Sequence, residues 1–315
     1  MTDQELAARR MSTSPADDGG AERAERLREI GLASVPDERF DAFARQIVER
    51  TGLQAGMVNL VGGTRMYFAG SAARTNLAPG EATFQADPGR EMALDHGFCP
   101  HVVARRLALV LDDVYAYPRF SGNRVVDGLG VRAYAGVPLI DEDGTVLGTV
   151  CAVDPSSRSE DAGWANRSLE AIKEVREEVL AEFRLRRQVT ALLAATPGPV
   201  LVTSGQQLEV LYANTAHEHL FGAVPELGVP AATVFADLAA AGVTAVVHQV
   251  LRSGIPAVTA PVPLADERRM LFAVVPAQVP GHRSVQLTLG VIDAGADHAV
   301  ALAHELSDNL TKLCQ

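Results

Sequence analysis

Two cysteines and two histidines carry the most reactive side chains in the first half of this sequence. In LDHGFCPHVVARR, the run from Leu94 to Arg106, Cys99 stands beside Pro100 and between His96 and His101, and a second cysteine follows in LGTVCAVDP at Cys151. Residues of these types can form a metal site, a reversible redox pair, a catalytic nucleophile or the wall of a pocket. Proline suits the first turn of a helix, because the N–H it lacks is one the helix end leaves unpaired. The spacing therefore predicts a helix opening at Pro100 with Cys99 at the capping position, where backbone N–H groups and the helix dipole lower a thiol's pKa. Free cysteine is also among the most buried residue types and packs as a small hydrophobe. Structural packing, redox sensing and thiol chemistry all stay open for both cysteines. Zinc takes sulfur and imidazole together. Gly97 and Pro100 break any continuous helix between His96, Cys99 and His101, no second Cys/His cluster completes four ligands, and no metal site is expected.

The loop DDVYAYPRFSGNR, Asp112 to Arg124, combines paired acids, two tyrosines and two arginines beside an apolar strand. That mixture can line a mostly apolar cavity with a few orienting polar groups. Phe98, Asp113, Tyr115, Phe120, Arg132 and Tyr134 are expected around such a cavity. The alternative for Asp113 and Arg119 is a structural one, pinning the loop through its own backbone. No catalytic residue is assigned and no cofactor is named.

Composition bounds the rest. At 315 residues the chain exceeds one compact core, and two domains are expected. With 47% hydrophobic and 21% charged residues it reads as globular rather than disordered. The formal net charge of −11 repels nucleic-acid phosphate and anionic membrane. MTDQELAARRMSTSPADDGG lacks the apolar core of a secretory signal, and no long apolar window follows, so a cytoplasmic location is expected. Three cysteines there make no disulfide framework, and any bond between them must be reversible. Lys173 and Lys312 are the only lysines, which excludes a Walker-type phosphate loop and Schiff-base chemistry from the first 172 residues. HExxH, GxSxG, paired CxxC and EF-hand patterns are also absent.

The elements that must position these residues follow from periodicity. AERAERLREIG, closed by Gly31, and PDERFDAFARQIVERTG, opened by Pro36 and Asp37 and closed by Gly52, read as amphipathic helices. Phe40, Phe43, Ile47 and Val48 form the apolar stripe of the second. QAGMVNLVGGTRMYFAG reads as two strands about a Gly62-Gly63 turn, residues 71–93 as loop, LALVLDD as a buried strand, and VYAYPRFSGNRVVDG as irregular. VRAYAGVPLIDEDGTVLGTVCAVDP gives two longer strands around Asp143-Gly144. NRSLEAIKEVREEVLAEFRLRRQVTALLAA is a helix of about 30 residues with Leu169, Ile172, Val175, Val179 and Phe183 on one stripe, long enough to cross between domains or pair with a second subunit. After TPGP come PVLVTS and QLEVLYA as strands, NTAHEHLFG and ATVFADLAAAGVTAVVHQVLRSG as helices, PAVTAPVPL, RRMLFAVVPAQ and RSVQLTLGVID as strands, and a last amphipathic helix. The fold class is α+β, with two antiparallel sheets and their helices. The expected boundaries are a tail at 1–22, a first domain at 23–165, a connecting helix at 166–196, a second domain at 197–293 and a C-terminal helix at 294–315.

In order and spacing, FDAFARQIVERTG, MVNLV with TRMYFAG, GFCPHVV, LVLDDVYAYPRFSGNRVV and VRAYAGVPLIDEDGTVLGTVCAVD resemble a GAF domain over about residues 25–190. LYANTAHEHLFG and LRSGIPAVTAPVPL resemble the strand-to-helix and helix-to-strand steps of a PAS domain over about residues 197–293. The resemblance implies two sensory modules, each with five or six strands in its sheet and a cavity between sheet and helices, acting through a partner such as a kinase, phosphatase or transcription regulator, or through a homodimer. It also implies that Cys99 and Cys151 stand around the cavity. The lysine of cyclic-nucleotide-binding GAF domains is missing. Pro100 separates Cys99 from the histidine that bilin attachment would place next to it, and the Asp-Ile-Pro motif is absent. The motifs of free methionine sulfoxide reductases, which share the fold, are not matched. In the last helix AHELSDNL resembles a histidine-kinase phosphoacceptor box only in His304 followed by Glu305. Three readings follow: a sensor of a small molecule or of redox state, a thiol-dependent small-molecule reductase centred on Cys99, or a ligand-free dimerisation scaffold.

Overall fold

The computed structural model describes residues 19–30, 37–120, 122–221, 228–234, 242–263, 269–279, 282–292 and 294–315. They divide into two compact units: the first holds the described residues up to Arg28 and from Asp37 to Ala181, the second Glu29, Ile30 and those from Glu182 on. The expected helix stop at Gly31, the opening at Pro36 and most of the tail lie outside the described residues.

In the first unit α1 (Gly20–Glu29) precedes α2 (Glu38–Thr51). Asp37 caps α2 by accepting from the Arg39 N–H, and Gly52 ends it in the left-handed conformation that glycine adopts without a Cβ clash. The buried stripe of α2 is Phe40, Phe43, Ala44 and Ile47; Val48 sits half-buried at its margin. Then follow β1 (Ala55–Val61), β2 (Arg65–Ala73), β3 (Glu91–Ala93), α3 (Cys99–Arg105), β4 (Leu109–Leu111), α4 (Arg124–Asp127), β5 (Ala133–Ile140) and β6 (Val146–Asp154). These strands make one antiparallel sheet in the order β3-β2-β1-β6-β5-β4. Gly144 turns β5 into β6 at φ 91°, as the Asp143-Gly144 pair predicts, whereas Gly62 and Gly63 connect β1 to β2 without positive φ. The expected loop at 71–93 is shorter, because β2 runs on to Ala73 and β3 adds an edge. The expected buried strand at 107–113 contracts to three edge residues of which only Leu111 is buried.

Strand alternation gives the sheet two different faces. Gly56, Val58 and Leu60 of β1 face α2, and Gly70 lets the helix come close: a Cβ there would press on the Phe40 backbone and stand 2.9 Å from its Cβ. Met57, Asn59 and Val61 point the other way, with Met66 and Phe68, Tyr134 and Cys151, toward α3 and α4. That second face holds the site.

The long helix α5 (Trp164–Ala194) carries residues of both units, and its buried stripe in the first includes Ile172, Val175 and Val179, with Leu169 half-buried. Arg50 of α2 reaches Glu174 and Glu178 on it.

The second unit contains β7 (Val200–Ser204), β8 (Glu209–Ala213), α6 (Thr215–Phe221), α7 (Ala231–Val234), α8 (Val243–Ser253), β9 (Ala257–Val258), β10 (Val262–Pro263), β11 (Arg269–Val279), β12 (His282–Ile292) and α9 (Ala296–Leu313). Its antiparallel sheet has the order β10-β11-β12-β7-β8, with β9 also on β11. One face packs Val202, Ala273 and Leu287 on Val189 and Leu193 of α5 and on Ala303, Leu306 and Leu310 of α9. The other packs Leu201, Phe272 and Val274 on Val243, Val247 and Val250 of α8. Asn214 ties the strand-to-helix step: its Oδ1 accepts from Val200 N and His217 N, and its Nδ2 donates to Gly198 O. The helix expected over 232–254 runs through residues 235–241, which lie outside the described residues, and Gly242 at φ 77° caps α8 as its start. No helix among the described residues is long and apolar enough to cross a membrane.

Candidate functional site

The first unit holds a cavity of about 620 Å³ between the second sheet face and its covering segments. Phe98, Cys99, Tyr134 and Cys151 line its inner end, Met57, Met66, Met92, Phe68 and Phe84 its walls, and Arg74, Asp87 and Arg90 stand toward the loop at 83–90. The volume lies inside the range of about 300–1,000 Å³ usual for small-molecule sites.

Cys99 comes from α3 and Cys151 from the middle of β6, and the fold brings their sulfurs to 3.7 Å. Cys99 is the first residue of the helix; Phe98, one residue earlier, occupies the capping position, which corrects the expectation for Cys99. Pro100 follows it as the second helical residue, so its missing N–H still costs the helix nothing. Asn123 fixes the approach to this turn. Its Oδ1 accepts from Gly97 N and Val125 N, and its Nδ2 donates to Gly97 O, so one side chain holds Gly97 at φ 76° and caps α4.

Tyr134 lies along its own strand, with its Oη 3.5 Å from Cys99 Sγ. Gly136 makes room for it: a Cβ at 136 would collide with the Tyr134 hydroxyl and stand 3.0 Å from Cys151 Cβ. Gly136 and Met57 are also the cross-strand neighbours of Cys151. The phenol ring packs on Phe98 at 5.0 Å, and Phe98 packs edge-on against Phe120 at 5.2 Å.

The two sulfurs titrate as a pair. The Cys151 thiol donates to Cys99 and holds its pKa down at about 6 against the opposing effect of burial, with Thr149, Tyr134 and Asn59 adding to the stabilisation of the thiolate. Cys151, as donor to that thiolate, buried and beside its charge, is pushed well above the ordinary thiol range. Burial, then the neighbouring sulfur charges, push the Tyr134 hydroxyl far up as well, so it stays a donor. Within the pair, ionisation is favoured at Cys99 and the proton at Cys151. A thiolate nucleophile beside a protonated thiol can form a disulfide, attack an electrophile, or hold an oxidised ligand.

The GAF domain family model matches residues 35–180. These residues form a GAF domain. No curated protein matches the chain. Among solved structures, the domain is similar to a protein described as a GAF sensor from Burkholderia vietnamiensis, 22% identical over 58% of this chain and 99% of that one, with a TM-score of 0.34. It is also similar to the free methionine-R-sulfoxide reductase of Neisseria meningitidis, 19% identical over 54% of this chain and 95% of that one, TM-score 0.34. A third is the PixJ GAF domain of Thermosynechococcus elongatus, 14% identical over 55% of this chain and 97% of that one, TM-score 0.37.

Of the residues singled out by sequence, Phe98, Cys99, Tyr134 and Cys151 meet at the cavity of the GAF domain. Asp113, Tyr115, Phe120 and Arg132 do not stand in its lining. Asp113 binds Arg132 through both oxygens, at 3.0 and 2.5 Å, and accepts from the Tyr115 N–H, so its acceptor capacity is taken up within the loop. The Arg132 hydrogen bonds hold its carboxyl below the usual carboxylate range despite partial burial. Tyr115 is exposed and lies under the Arg132 guanidinium at 4.2 Å. Phe120 is buried behind Phe98, with the His101 ring edge-on at 5.2 Å. The pinning role comes from Asp113, while Arg119 stacks on Phe120 at 4.7 Å. Sequence reasoning passed over Met57, Asn59 and Thr149 opposite the cysteines, and Arg90, which binds Asp41 at 2.8 Å near the cavity's outer end. The alternation of MVNLV held the signal for Met57 and Asn59; the register that pairs Met57 with Cys151 is a long-range property.

Proposed function

We propose that the GAF domain is a dithiol sensor: Cys99 and Cys151 oxidise to a disulfide within a small-molecule cavity and the change passes to a partner protein or a second copy of the chain. The single observation that carries this reading is the 3.7 Å separation of two buried sulfurs on the wall of a cavity. A disulfide is about 2.05 Å long, so closure asks for a shift of about 1.7 Å at the start of α3 or in the two side chains. The helix begins at Cys99 and Asn123 braces Gly97 two residues before it, which makes this turn the first part to feel the bond.

The second unit, about residues 197–293, reads as a PAS-like module, supported by its antiparallel sheet, the helices between its second and third strands, and Asn214 at the strand-to-helix step. The long helix α5 contains residues of both units and is the natural carrier of the signal. A cytoplasmic location fits a thiol pair that must be reduced again after each signal.

The test adds hydrogen peroxide to the reduced protein and counts thiols. Two thiols and one peroxide give one disulfide and two waters, so two of three cysteines should be lost and restored by dithiothreitol, with no thiol lost as a pair in Cys151→Ser. Retention of all three thiols under oxidant removes the sensor reading. A thiol-dependent reductase uses the same pair but turns over with a thiol reductant and an oxidised substrate; a sensor stops after one stoichiometric event.

A further inference from the structure

We propose that the oxidant read by this dithiol is a quinone, bound in the cavity and reduced there to the hydroquinone. The inference rests on the dithiol reading and names its substrate class. Cys99 is 7% exposed and Cys151 0%, at the inner end of a cavity walled by phenylalanine and methionine. An oxidant must leave water to reach them. A charged disulfide such as glutathione disulfide gives up the hydration of its carboxylates on entry, with no matching cation at the floor. Hydrogen peroxide can enter, but needs neither the 620 Å³ nor the aromatic walls. An uncharged ring uses both: Phe68, Phe84 and Phe98 offer ring faces and edges, and the thioethers of Met57, Met66 and Met92 pack well against π systems.

The polar atoms at the floor fit the two ring oxygens. Asn59 lines the cavity, is fully buried, and its Oδ1 has no hydrogen-bond partner among the described residues. The Tyr134 hydroxyl, which lines the cavity 3.5 Å from Cys99 Sγ, can turn from the sulfur to donate to a quinone carbonyl. Asn59 Oδ1 can only accept, and finds its donor once a ring oxygen has become O–H. In the step, the Cys99 thiolate and the Cys151 thiol form one S–S bond and release two electrons. The quinone takes both, with one proton from Cys151 and one from solvent, and leaves as hydroquinone.

The probe is tetramethyl-1,4-benzoquinone, whose substituted ring leaves no position for thiol addition, given without oxygen to the reduced full-length protein. Equal amounts of disulfide and hydroquinone are expected, with a rate constant at least about 100-fold above that of glutathione disulfide, on the scale of desolvating buried charge. Val153, half-buried on the cavity lining, tests the route. Val153→Phe should slow the quinone by at least about tenfold, the scale of one badly fitted apolar group, and leave peroxide oxidation unchanged. The Cys99→Ser, Cys151→Ser double variant should bind the same quinone in calorimetry, which covers the case of a Val153→Phe protein that fails to fold. Disulfide formation with peroxide but not with the quinone, or no quinone binding to the double variant, overturns the quinone assignment and leaves the dithiol sensor standing. Failure of both oxidants overturns both.

Discussion

Replacing Cys151 by alanine removes the group that most stabilises the Cys99 thiolate, and the size of the effect follows from the site. The Cys151 hydrogen bond holds the Cys99 thiol below the ordinary thiol range despite its burial. A hydrogen bond to a charged acceptor is worth about 1.5–3 kcal/mol, or about 1–2 pKa units at 1.36 kcal/mol each. The midpoint should therefore rise by about 1–2 units in Cys151→Ala, with a matching loss of thiolate at neutral pH. Cys151→Ser keeps an O–H donor in place and should stay close to the parent. The assay is the pH dependence of iodoacetamide alkylation and of thiolate ultraviolet absorbance, in a Cys314→Ser background. An unchanged midpoint in the alanine variant, or equal shifts in both variants, would refute the shared-proton account. The same group links to stability. Its folded pKa lies below that of an unfolded thiol at about 8.5, so the unfolded chain binds more protons between those values. Its contribution is present above the unfolded pKa and is lost as pH falls through about 6. That slope should flatten in Cys151→Ala.

Three other perturbations separate the supports of the site. Gly136→Ala drives a methyl group into Tyr134 and Cys151 and should cost about 1–3 kcal/mol in chemical denaturation by overpacking, together with a lower disulfide yield. Asn123→Ala deletes the bonds that hold the part-buried Gly97 backbone and should cost about 0.5–1.5 kcal/mol in lost hydrogen bonding, with Cys99 oxidation slowed while Cys314 reactivity stays the same. Arg90→Ala removes a partner of Asp41, whose carboxyl burial would raise but which the Arg90 and Ser71 N–H hydrogen bonds hold below its ordinary value. The parent should lose that contribution as pH falls through the depressed Asp41 pKa, and the variant should show a weaker acid dependence in thermal melts.

The local signals in this chain were strong where one residue decides a conformation. Asp37 and Gly52 bound α2, Gly144 turns β5 into β6, and Gly254 ends α8, each by a capping or left-handed position that short-range chemistry specifies. The one-residue displacement at Cys99 arose because proline is accepted at either of the first two helical positions. The cavity was legible only in part. Phe98, Cys99, Tyr134 and Cys151 come from three separate elements, and the order of motifs sufficed to bring them together. Asp113, Tyr115 and Arg132 have the residue types of a ligand site, but ion pairing and stacking absorb them within their own loop. Which face of a strand meets the cavity depends on register, and register is fixed by pairing of β1 with β6 across about ninety intervening residues. Gly136 shows the same limit, since its need for a hydrogen side chain comes from a tyrosine on its own strand folding over it.

The account stands most directly on whether Cys99 and Cys151 bond to each other. Peptide mapping of the oxidised protein without reductant should yield one cross-linked pair joining the Cys99 and Cys151 peptides, lighter by two hydrogens than the separate thiols, with the Cys314 peptide free. A map in which Cys99 carries sulfinic or sulfonic acid, joins Cys314, or stays reduced while Cys151 is untouched would contradict it.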